Sequence, residues 1–151
     1  MKPRSNDLNI RYEWQEGSLP PPYHYEYAIT IKSIGDSEIT MIPDYAMHDA
    51  PTWIEKFQLS PAALGALNRT LIQAGLFTRE WRAQEHPSVG GSHESLDATM
   101  NDKTIHIPSY VIRDQAPATN EIFSAIKACV PQAIWDKLYT QREQYVHERE
   151  K

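Results

Sequence analysis

From residue 23 to residue 32 the chain alternates with a period of two. Tyr23, Tyr25, Tyr27, Ile29 and Ile31 fall on one side, and His24, Glu26, Ala28, Thr30 and Lys32 on the other. Such a rhythm suits an extended strand with one dry and one wet face, so the segment commits the chain to a sheet buried on one side. Aromatic and β-branched residues favour that half-buried pleated surface. The same alternation appears in 8–14, where Ile10, Tyr12 and Trp14 alternate with Asn9, Arg11 and Glu13. It returns in 93–100, with Leu96, Ala98 and Met100 inward. Shorter strands are expected at 38–42, 52–59 and 104–107. Gly35-Asp36 and Asn101-Asp102-Lys103 read as hairpin turns, and Pro43 and Pro108 end strands because they cannot donate to a ladder.

Helices are marked by their ends. Ser60 can cap a helix that Pro61 opens and Gly75 closes, with Leu64, Leu67, Leu71 and Ala74 on its apolar stripe. A second helix is expected over 119–130, capped by Thr119, and a third over 131–148. The third loses its apolar face after Tyr139, so its last turns are expected to project into solvent or meet a partner, with a frayed end at 146–151. Residues 1–7 are expected to be a flexible terminus. Most connections between strands are short turns, which parallel pairing does not allow. The expectation is one α+β domain over 1–151: a mainly antiparallel sheet of about six strands, with two to three helices on one face. The segments 39–45 and 105–110 echo one another, each a strand closed by proline and followed by a tyrosine. A duplicated β-β-α unit would explain the echo, and so would chance, because strand–Pro–loop is a common ending.

Charge narrows the function. The formal net charge is −5, and Lys and Arg are scattered among carboxylates, without the basic stripe that phosphate binding requires. No nucleic-acid partner is expected. No apolar window is long enough to cross a bilayer, so no membrane partner is expected either. No apolar signal follows the N-terminus, and the single cysteine, Cys129, lies in an apolar run and reads as a core thiol. A cytoplasmic location follows as the default.

No catalytic motif stands in the sequence. The most chemical feature is the predicted outer sheet face, where His24 and Glu26 share a side with His93 and Asp97 and with His106. If these converged from adjacent strands they would suit Zn or Fe, or general acid–base work. The ordinary alternative is the solvated face of an antiparallel sheet. Pro20-Pro21-Pro22-Tyr23 matches the P-P-x-Y pattern read by aromatic-grooved domains if it is held as polyproline II. Tyr12, Trp14, Tyr23, Tyr25 and Tyr27 read as core, with a ligand platform or an interface as the alternative.

The run from Tyr12 and Trp14 through Gly17-Ser18-Leu19-Pro20-Pro21-Pro22-Tyr23-His24-Tyr25-Glu26-Tyr27 resembles the opening of a small family of bacterial proteins. Ala74-Gly75-Leu76-Phe77 and 130–136 are similar to later landmarks of that family. The resemblance implies a bacterial origin and one full-length domain. That family has no assigned activity, so no residue role is carried over. The functional expectation is a non-catalytic binding or protein-interaction module, with a homo-oligomer, another protein or an unidentified small molecule as partner and no cofactor. The alternative is a small metal-dependent or acid–base enzyme using His24, Glu26, His93, Asp97 and His106.

Overall fold

The computed structural model describes residues 8–46, 49–87 and 91–150. Six strands form one sheet: β1 (Asn9–Gln15), β2 (Glu26–Ile31), β3 (Asp36–Ile42), β4 (Trp53–Gln58), β5 (His93–Met100) and β6 (Lys103–Ile107). The spatial order is β4-β3-β2-β1-β5-β6, and every neighbouring pair is antiparallel. Three helices pack on one face: α1 (Pro61–Gln73), α2 (Ala116–Ala128) and α3 (Gln132–Arg149). The fold is α+β, as the alternation requires.

Register puts the alternating apolar residues of the strands on the helix side, except Ile54 of β4, which is 53% exposed. Tyr12 sits between Ile29 of β2 and Leu96 of β5, and Ile39 lies beyond Ile29. These side chains meet Leu67 and Leu71 of α1, Ile122 and Ile126 of α2 and Leu138 of α3 in one core. An aromatic layer extends it, with Trp14 stacked on Tyr27 and Trp135 of α3 meeting Tyr27 edge-on. Burial pushes the Tyr12, Tyr25 and Tyr27 phenols above the ordinary range, and the Glu94 carboxylate that Tyr12 hydrogen-bonds adds to its shift. Cys129 donates its thiol to the Ala125 carbonyl at 3.4 Å, and burial raises its pKa. A thiol held protonated in this way is a core group rather than a nucleophile.

The first helix forms where its end signals place it. The Ser60 hydroxyl accepts from the Ala63 amide at 3.1 Å, and Gly75 takes φ +81° while the Leu76 amide reaches back to the Leu71 carbonyl. Ser60→Ala leaves that amide without its side-chain partner. The expected cost is about 1 kcal/mol, read as a lower urea midpoint at unchanged m-value.

The structure corrects several expectations. The strand expected from residue 23 begins at Glu26, because the Tyr23 amide donates to the Pro20 carbonyl and closes a turn. The prolines are therefore not an extended polyproline II segment, and Tyr23 is 41% exposed instead of core. Thr119 does not cap α2: the helix starts at Ala116 after a 3₁₀ turn (Arg113–Gln115), and the Thr119 hydroxyl donates to the Ala116 carbonyl. The end of α3 is docked on the fold through Tyr145, although His147 to Glu150 are exposed as expected. Tyr145 is 6% exposed, meets Trp53 edge-on and donates to the Asp44 carboxylate at 3.0 Å, with the Arg149 guanidinium over its ring. The helix accordingly runs on to Arg149 across the segment expected to fray. The expected flexible terminus, 1–7, and Lys151 lie outside the described residues.

Candidate functional site

One end of the sheet gathers the end of β1, the start of β2, the end of β3, the start of β5 and the end of β6. The register fixes this: Gln15 pairs with Glu26 on one side and His93 on the other, and Glu26 pairs with Ile42. The chain leaving or entering each strand there builds a cleft of about 400 Å³, lined by Gln15, Glu16, Gly17, Ser18, His24, Tyr45, Pro87, Gly91, His93 and Tyr110.

His24 forms its inner wall. It was expected on the wet face of a strand, but it lies before β2 and is 4% exposed. Its Nδ1 is 3.1 Å from the Gly17 carbonyl oxygen and its Nε2 is 3.2 Å from a Glu26 carboxylate oxygen. Both ring nitrogens thus face oxygen acceptors. The neutral ring has one N–H, so both contacts become hydrogen bonds only when the His24–Glu26 pair holds a second proton. The ring also stacks on Tyr45, with centroids 3.9 Å apart and planes 6° from parallel. The Tyr45 hydroxyl donates to the Leu19 carbonyl at 2.7 Å, tying the segment after β3 to the loop after β1.

Tyr110 and His93 form the opposite wall, with ring centroids 6.1 Å apart. Tyr110 has φ +60°, a left-handed conformation that costs a non-glycine residue about 1 kcal/mol or more. The Tyr110 carbonyl accepts from the Gln84 amide at 2.8 Å, which helps to hold the turn. Non-glycine residues kept in such a conformation concentrate at functional sites, where the surroundings over-determine them.

The five residues that the strand rhythm assembled on one face do not converge. His24 joins Glu26, and His106 Nδ1 lies 2.8 Å from Asp97. Strand β1 separates Glu26 from His93, so their backbones stand roughly 10 Å apart at the usual strand spacing. Asp97 is four residues along β5 from His93, a further run of about 13 Å. The Asp97–His106 pair sits on the exposed sheet surface, away from the cleft. Among the described residues, no three His, Cys, Asp or Glu side chains are placed to hold a metal ion.

Tyr45 and Tyr110 were absent from the sequence-based candidates. A signal for them was present: Pro43-Asp44-Tyr45 and Pro108-Ser109-Tyr110 end the two echoing segments. Because β3 and β6 both finish at this end of the sheet, each proline-terminated strand delivers its tyrosine to the same cleft. The arrangement offers ring faces, an imidazole and one carboxylate to a ligand, and its most buried titratable pair is already closed on itself. No described helix is long and apolar enough to cross a membrane. No protein-family model matches the chain, and no curated protein matches it significantly.

Proposed function

We propose that this chain is a non-catalytic binding module whose recognition site is the histidine–tyrosine cleft. The observation that supports this reading is the division of labour among its rings. His24 is engaged at both nitrogens and over one face, which suits a fixed wall, whereas His93 and Tyr110 stand half-buried at the opposite side. An acid–base centre would require its proton carriers to meet at one reacting atom, and the candidates are split between two regions of the sheet. The bacterial setting rests on the resemblance of the 12–27 segment, and the cytoplasmic one is a default.

A thermal-shift screen of small metabolites, followed by amide NMR mapping, tests the proposal. A ligand at 100 times its Kd is expected to raise stability by about 2.7 kcal/mol through preferential binding to the native state. Its shift changes should centre on His93 and Tyr110, and His93→Ala should abolish the stabilisation. Hits that map to the outer sheet face, or that are turned over chemically, would remove the reading. Light scattering on the same samples reports whether a second copy is the partner.

A further inference from the structure

The charge pattern of the cleft narrows its ligand. Among the described residues that line the cleft, Glu16 is the one carboxylate and none is Lys or Arg. The Glu16 carboxylate is half-buried and accepts from the Gly17 amide at 3.0 Å, which fixes its position beside the cleft. Around it stand two ring pairs, His24 with Tyr45 and His93 with Tyr110. The faces of the tyrosine rings carry negative potential and attract cations, most effectively where water is thinned out. An anion would find no guanidinium or ammonium among these described residues. A bare metal ion would need several close ligands, which the described side chains do not provide. A diffuse, weakly hydrated organic cation needs only ring faces and one nearby negative charge.

We infer that the cleft takes a small organic cation with an alkylated ammonium head. The inference rests on the cleft being the binding site and adds the chemical class of what it binds. The rings supply the walls, and Glu16 supplies the charge that decides between a cation and its neutral counterpart.

The test is an amide NMR titration of the full chain with three probes of one shape. Choline carries the positive head, 3,3-dimethylbutan-1-ol replaces its nitrogen by carbon, and 3,3-dimethylbutanoate carries negative charge. Choline is expected to shift the His93 and Tyr110 resonances and to bind about tenfold more tightly than the alcohol. Glu16→Gln keeps an oxygen acceptor for the Gly17 amide and removes the charge. It should weaken choline several-fold, leave the alcohol unchanged and leave the thermal midpoint in place. Asp97→Asn removes the same charge from the exposed sheet surface outside the cleft and should leave choline binding unchanged. If the alcohol or the carboxylate binds at the same resonances as well as choline, the cation inference falls and the cleft stands as a site for another class. Equal weakening by Glu16→Gln and Asp97→Asn would overturn the local role of Glu16. If no probe moves the cleft resonances at concentrations on the order of 50 mM, an affinity floor well below useful recognition, both the inference and the binding site fall together.

Discussion

Above about pH 10 the folded state is expected to lose stability at roughly 2.7 kcal/mol per pH unit, because two phenols stay protonated in the fold and ionise in the unfolded chain. Tyr12 is fully buried and Tyr27 nearly so, and burial raises both well above the ordinary phenol range. The sign follows from proton counts. Below the ordinary tyrosine pKa of about 10 both states hold the protons and stability does not depend on these groups. Above it the unfolded chain releases them and the native state retains them, so stability falls as pH rises, by about 1.36 kcal/mol per unit for each phenol. Tyr25 is shifted in the same direction but is only half-buried, so it adds less. Urea unfolding between pH 8 and 11, read with tyrosinate absorbance, checks this. The chain has eight tyrosines. A smooth rise of all of them before any loss of structure would show that the aromatic layer is not dry.

Gly35→Ala is expected to cost about 3 kcal/mol or more, combining backbone strain with overpacking. Gly35 closes the turn between β2 and β3 at φ +92°, where a Cβ is strained whatever the space. The space is also missing: a Cβ there would lie 2.5 Å from the Leu59 carbonyl oxygen and 2.5 Å from the Gln58 side-chain nitrogen. The Gly35 carbonyl accepts from the Leu59 amide at 3.0 Å, so the two backbones cannot separate without breaking that bond. Gly75→Ala is the comparison. Its φ of +81° is similar, but the added Cβ meets only the flexible Arg79 side chain, at 2.7 Å from Nε. That side chain can swing away, and the expected loss is about 1 kcal/mol. Denaturant midpoints of the two variants separate strain from contact. Equal losses would show that the close approach to Leu59 is not what requires a glycine at Gly35.

The faces of the strands were legible because side-chain direction in a strand is a local matter. Ile10, Tyr12, Ile29, Leu96 and Ala98 lie inward where the alternation puts them, and Arg11, Asp97 and His106 lie outward. The limits of α1 were legible for the same reason, since Ser60 and Gly75 act within one turn of themselves. Where local rhythm and local hydrogen bonding disagreed, hydrogen bonding won. Residues 23–25 continue the alternation of β2, yet the turn closed by the Tyr23 amide takes them off the strand and turns His24 into a wall of the cleft. The end of α3 was misread because its apolar stripe fades, although Tyr145 docks it through Trp53 and Asp44, and Arg142 through Tyr23 and Tyr25.

The sequence by itself determined which side of each strand is dry, where the hairpins turn and where the first helix begins and ends. Only the tertiary structure decided that β1 lies between β2 and β5, and so which histidines meet which carboxylates. Pairing between strands about eighty residues apart follows from how the whole buried face packs. That packing brought Tyr45 and Tyr110 to one cleft and left the Asp97–His106 pair on the exposed sheet surface, apart from His24.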